Sequence, residues 1–306
     1  MPDDDRPVLV IGATGFVGGR VVAALTRDGR RVRCLARTPA RAADLEGDRV
    51  TVVQGDMLNA AQVADAVAGT SAVVVCVHTL SAQPAGDGQQ GFMDVEAAGL
   101  DNVVAACKEH GVRRVLYVTS IGVAEDAASS WLRGRWATEQ AMFASGLDVT
   151  VFRPGMIVGR GGDGFTIVAR GATRRLAVAV GSPRQRFRTI AVDDLAGDIV
   201  DLLDRPETVG RSLEVGSDDV LTMRQMMAIA ATSVGRRPAR TVFVPAGLLR
   251  RLAPLIERMA RLPHGAISGF AGDGPAQDMI GDPSLLRATL GRVDRPFRDA
   301  IQGQLT

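Results

Sequence analysis

The sequence predicts an α/β protein: a Rossmann-like doubly wound parallel sheet with a smaller C-terminal lobe interleaved with it. Short runs apolar on both faces recur through the first half, amphipathic stretches separate them, and a triple-glycine turn joins the first run to the first amphipathic stretch. Strands buried on both faces and linked by helices make a parallel sheet covered on both sides.

The first strand is "PVLVIG" (7–12), and a helix follows from about Val17 to Asp28, with Gly29 as its stop. "RVRCLAR" (31–37), "VTVVQGD" (50–56) and "SAVVVCVH" (71–78) supply the second to fourth strands, with helical stretches near 39–46 and 59–68 between them. An amphipathic helix over 95–111 ends at Gly111, with His110 capping it, and "VRRVLYVTS" (112–120) is the fifth strand. A helix over 137–146 and a strand over 147–155 complete the sheet's regular rhythm. Beyond it the pattern loosens. A strand and helix over 187–206, strands at 212–217 and 241–245, and an apolar helical stretch over 246–262 stand out, with a mobile glycine-rich loop expected at 159–164.

Of the 306 residues, 46% are hydrophobic and 23% charged, as in ordinary globular proteins, and the net charge is only +2. Such a balance points to neither nucleic acid nor an anionic membrane as a partner. Lys108 is the sole lysine among 36 basic residues, an arginine bias that reflects GC-rich coding. Cys34, Cys76 and Cys107 lie in apolar segments without metal-ligand spacing and read as buried thiols in a reducing cytoplasm. The acidic start "MPDDDRP" has no leader pattern, and no apolar run reaches the ~20 residues of a membrane span.

"GATGFVG" places Gly12, Ala13, Thr14, Gly15, Phe16, Val17 and Gly18 between a strand and a helix. Gly12 permits the tight turn, Gly15 lets a pyrophosphate approach the backbone, and Gly18 lets helix and strand pack closely. The helix N-terminus then meets the phosphates with free N–H groups. This context predicts dinucleotide binding. NAD sites usually end the second strand with an acid for the ribose 2′-OH; here Ala36 stands there and Arg37 follows, which favours the 2′-phosphate of NADPH/NADP+. Asp56 could accept from the adenine amino group, with Met57 beside the ring, or could cap the next helix. Val77 and His78 end the fourth strand on the crevice side. These assignments divide the chain into an NADP-binding domain (1–155) and a substrate-binding lobe (156–306), of which about 187–217 returns to the Rossmann sheet.

Together "GATGFVG", "GDM", "GLDNVVAACKEHGVRRVLYVTSIGV", "SGLDVTVFRPG" and "IAVDDLA" resemble the extended and atypical short-chain dehydrogenase/reductases. The resemblance places Ser120 at the position of the family's catalytic serine and Pro154, Gly155 and Met156 beside the nicotinamide. It also exposes a departure. Counting back from Glu139 puts Arg135 where the family has its catalytic lysine and Trp131 where it has its tyrosine. The sole tyrosine, Tyr117, lies mid-strand. Arg135 could still bond the nicotinamide ribose, but Trp131 cannot act as a general acid.

Reductases lacking the tyrosine exist in this family, and the chain resembles the ketoreductase type that tailors angucyclinones, including that of simocyclinone biosynthesis. The expected substrate is accordingly a bulky, apolar, aromatic polyketide-type ketone whose neighbouring phenol supplies the proton. Ser120 and His78 are the candidate catalytic side chains, with His264 a further pocket candidate. Met156, Phe165, Phe187, Leu248, Leu252, Met259, Phe270 and Met279 either line an apolar pocket or pack the core. The rival readings are a non-catalytic NADP(H) sensor of the NmrA-like type and an accessory subunit that keeps its nucleotide for stability.

Overall fold

The computed structural model describes residues 5–77, 92–245, 247–248, 251–255 and 277–305. His78, Met259, His264 and Phe270 therefore lie outside the described residues.

Seven strands form one sheet: β1 (Val8–Ile11), β2 (Val32–Ala36), β3 (Val50–Gln54), β4 (Ala72–Val75), β5 (Arg114–Val118), β6 (Asp148–Pro154) and β10 (Arg211–Val215). Their order is β10-β6-β5-β4-β1-β2-β3, and β1 pairs in parallel with both β2 and β4. The strand order thus reverses beside β1, and in such sheets ligands bind outside the carboxyl ends of the strands at that point. β1 and β4 are buried along their whole length, as their unbroken apolar runs require. Helices α1 (Phe16–Arg27), α2 (Ala60–Val67), α3 (Phe92–Glu109) and α4 (Ser130–Ala144) supply crossovers. Val63 and Val67 of α2, Val103 and Cys107 of α3 and Met142 of α4 join Leu9, Val73, Val115 and Val149 in one core.

The chain divides into two compact units. One takes its described residues from 1–119, 134–152 and 196–212, the other from 120–133, 153–195 and 213–306. Within the second unit, β7 (Met156–Val158), β9 (Arg186–Ala191) and β11 (Val220–Thr222) form a three-stranded sheet. β8 (Leu176–Val180) and β12 (Arg240–Val244) form a parallel ribbon. Helices α5 (Asp163–Thr173) and α7 (Met223–Ser233) pack so closely that a Cβ on Gly171 would lie 2.5 Å from Met227 Cγ. A reciprocal cap between Thr222 and Gln225 starts α7. Two helices, α8 (Ser284–Leu290) and α9 (Phe297–Ala300), follow later in the chain, and α6 (Val192–Asp201) links β9 to β10.

Three expectations need correction. Of the segment 187–217, β10 joins the seven-stranded sheet, but β9 pairs with β7 and β11. Helix α4 begins at Ser130, seven residues before the expected start, so "WLRGRWATEQ" is helical. Gly134 obscured this because glycine disfavours helices; here it makes room for α3, where Met93 Cγ would lie 2.6 Å from an added Cβ. The glycine-rich stretch at 159–164 is a tight turn closed by Gly162 N–H donating to Gly159 C=O, and α5 already starts at Asp163.

Candidate functional site

The turn after β1 is built by close approach. The Cys76 amide donates to Ile11 C=O (2.9 Å), fixing β4 beside the end of β1. Gly12 has φ +87°, and an added Cβ would lie 2.7 Å from Cys76 O. A Cβ on Gly18 would lie 2.1 Å from Gly12 O, so only glycine lets α1 settle onto this turn. Gly15 differs from both. A Cβ there would meet only Gly12 O, at 3.1 Å, and Thr14 and Gly15 form an exposed crest over the buried Ala13.

Gly15 is also the N-cap of α1, with no side-chain cap and no acid in the first turn. The first intrahelical bond runs from Gly19 N–H to Gly15 C=O, leaving the Phe16, Val17 and Gly18 amides ahead of it at the positive end of the helix dipole. This is the cradle a pyrophosphate requires, and the residues present fit a dinucleotide. Ala36 ends β2 buried, and Arg37 follows it exposed.

Asp56 does not cap α2. That task falls to Asn59, whose side chain accepts from the Gln62 amide, while Asp56 Oδ1 accepts from the Leu58 amide at 3.0 Å. The Met57 side chain packs against α3, its Cε 2.6 Å from where a Gly99 Cβ would be.

A buried polar cluster occupies the neighbourhood of the missing dyad's lysine. Arg135 is 1% exposed. Its Nη1 donates to Val118 C=O (3.0 Å) at the end of β5, and its Nη2 donates to Val77 C=O (3.1 Å) just past β4. The same Nη2 lies 3.4 Å from the buried carboxylate of Glu96 on α3. The Tyr117 hydroxyl donates to the other Glu96 oxygen and shares a 3.0 Å bond with Thr138. Burial, reinforced by the Glu96 charge and opposed by Arg135, holds the Tyr117 phenol well above its ordinary pKa, so it stays protonated. Nearby, Thr119 Oγ1 donates to the buried Glu139 at 2.6 Å. Sequence reading missed Glu96 and this use of Glu139; an acid within the apolar periodicity of α3 was the available signal.

Trp131 lies in the first turn of α4 and is buried. In the second unit, the Ser120 hydroxyl donates to the adjacent Ile121 carbonyl at 3.1 Å. Pro154 C=O accepts from the Ile121 amide, and the Gly155 amide donates to Val215 C=O. A Cβ on Gly155 would lie 2.2 Å from Arg188 O, so the turn from β6 into β7 requires glycine. Among the apolar candidates, Phe165 is core, and Met156 and Phe187 pack against the same core, whereas Leu248 and Leu252 are exposed.

The three cysteines are buried free thiols, pushed by burial up to about 12. His110 ends α3, its amide donating to Ala106 C=O ahead of Gly111 at φ +67°.

Residues 12–206 match the model of a family described as NAD(P)H-binding. The chain is 29% identical over 281 residues to the ceramide reductase of Caulobacter vibrioides, covering 92% of this chain and 86% of that one. It is 27% identical to the 2-alkyl-3-oxoalkanoate reductase of Shewanella oneidensis, over 83% of this chain and 72% of the relative. The fold matches the Thermus thermophilus UDP-glucose 4-epimerase solved with NAD, with a TM-score of 0.74 at 18% identity, covering 98% and 97% of the two chains. The chain belongs to the family described as NAD(P)H-binding.

Proposed function

We propose that this protein is an NADPH-dependent ketoreductase of a bulky apolar ketone, working without a tyrosine–lysine dyad. The observation that carries the reading is the Gly12–Gly15–Gly18 cradle, kept open at Gly15 and closed by backbone approach at Gly12 and Gly18. Two relatives are named as reductases of ceramide and of a 2-alkyl-3-oxoalkanoate, the second by its name a ketone. Within that class, an aromatic polyketide of the angucyclinone kind suits the missing acid.

The chemistry that NADPH would bring to this site is a hydride. Gly15 and the first amides of α1 would hold its pyrophosphate, and Arg37, beside Ala36, would meet the 2′-phosphate. Val77, Pro154, Gly155 and Met156 would border the nicotinamide in this reading, a role it also assigns to His78. Arg135, engaged with Glu96 and two strand-end carbonyls, braces the carboxyl ends of β4 and β5. Ser120 donates a hydrogen bond to the oxygen that gains charge. The proton comes from a phenol next to the substrate's ketone, because Trp131 has none to give and Tyr117 is buried in its bonds to Glu96 and Thr138. Orientation alone can supply about 7–11 kcal/mol of barrier reduction, against a general acid's ~10²–10⁴-fold, so loss of the dyad is tolerable for a well-held substrate.

The test is NADPH consumption with a panel of phenolic ketones and long-chain 3-oxo compounds. Turnover on any panel member with product alcohol supports the reading. Tight NADPH binding with no turnover on any of them favours the sensor reading.

A further inference from the structure

We infer that the outer face of the β8–β12 ribbon is a docking surface for an anionic lipid bilayer. The two strands run parallel with Leu176 beside Arg240 and Val178 beside Val242. Their inner faces are occupied: Ala177 and Ala179 are buried in the second unit's core, and Phe243 packs against it. Alternation then sends Leu176, Val178 and Val242 outward. The chain next enters the helical residues 247–248 and 251–255, where Leu248, Leu252 and Leu255 recur at helical spacing and Ala253 is the buried neighbour. These six large apolar side chains are each between 45% and 59% exposed. Isolated exposed leucines are ordinary, whereas three large apolar side chains adjacent on one ribbon face, with three more soon after in the chain, mark an interaction surface.

Charge selects the partner. Segments 170–182 and 233–255 contain Arg170, Arg174, Arg175, Arg236, Arg237, Arg240, Arg250 and Arg251 and no aspartate or glutamate. Arg170, Arg174, Arg175, Arg237, Arg240 and Arg251 are exposed. Apolar side chains flanked by arginines without acids fit an interface whose surface is negative and whose interior is hydrocarbon. The whole-chain charge of +2 conceals this, because the acids are concentrated elsewhere.

The inference is independent of the chemistry proposed above, and its test needs neither cofactor nor substrate. The full-length protein is mixed with vesicles of phosphatidylcholine alone or with phosphatidylglycerol added, and bound protein is measured by flotation. The expected result is binding at least tenfold stronger to the anionic vesicles, weakened by salt. Leu176→Ser/Val178→Ser should reduce it at least tenfold, and Arg174→Gln/Arg175→Gln/Arg237→Gln by about fivefold per arginine, with circular dichroism unchanged. Failure of the wild-type protein to bind, equal binding to both vesicles, or variants that bind like wild type would each overturn the inference. So would a dimer, seen by sedimentation velocity, that Leu176→Ser/Val178→Ser dissociates, because a second copy would then own the face.

Discussion

Replacing Arg135 by methionine removes a guanidinium that touches three elements at once. Glu96 keeps its bond from Tyr117 but loses its cation, and the carbonyls of Val77 and Val118 lose their donors. Breaking a buried pair on one side costs about 3–5 kcal/mol, because the surviving charge is left uncompensated. With a urea m-value near ~3 kcal/mol/M, the unfolding midpoint should fall by about 1–1.7 M. Glu96→Gln should cost less, since the amide can still accept from Tyr117 and the guanidinium keeps its two carbonyls. The double variant should lose less than the sum of the singles, with a coupling on the order of 1–3 kcal/mol. Trp131→Tyr with Arg135→Lys, which restores the family's dyad, should likewise be destabilised and gain no activity. An ammonium is a point donor and cannot span the acceptors that the planar fork reaches. A midpoint shift under ~0.3 M for Arg135→Met, or a restored dyad that is both stable and faster, would refute the bracing role.

The glycines separate two effects. Gly18→Ala should destabilise the fold and abolish NADPH binding, because its Cβ would stand 2.1 Å from Gly12 O; Gly15→Val should fold, by circular dichroism, yet lose NADPH binding by calorimetry. NADPH should bind at least ~tenfold tighter than NADH, about 1.4 kcal/mol, and Arg37→Ala should erase most of the difference; equal affinities in the wild-type protein would remove the 2′-phosphate assignment. The cysteines, held near 12, should resist a thiol reagent at pH 8 until the protein is unfolded. Their folded pKa lies above the ordinary 9.0, so their contribution to stability is complete below pH 9 and is lost as pH rises from 9 towards 12, which urea titrations across that range would register.

Most of the described residues up to 155 were legible because their signals are local. Runs such as "VLVI" and "AVVV" can be satisfied only inside a covered sheet, and the glycine turn names its own geometry. The start of α4 was not legible: Gly134 reads as a helix breaker until Met93 of another helix is seen to need its space. β8 was missed because its "LAVAV" alternates small buried alanines with large exposed residues, the reverse of an ordinary half-buried strand. At the candidate site, the absence of the dyad followed from composition, but its replacement did not. Glu96, Tyr117 and Arg135 are separated by 21 and 18 residues, and only the packing of α3 and α4 on the sheet brings them together.

The most direct measurement compares turnover of a phenolic ketone with that of its methyl ether, with binding of each determined separately. If the substrate's phenol supplies the proton, the ether should bind comparably and turn over on the order of 10²-fold more slowly or worse. Ser120→Ala and His78→Ala should each cost about tenfold, as for one hydrogen bond of ~1–2 kcal/mol. An ether that turns over as fast as the phenol, together with a dead Ser120→Ala or His78→Ala variant, would place the acid in the protein and contradict the account.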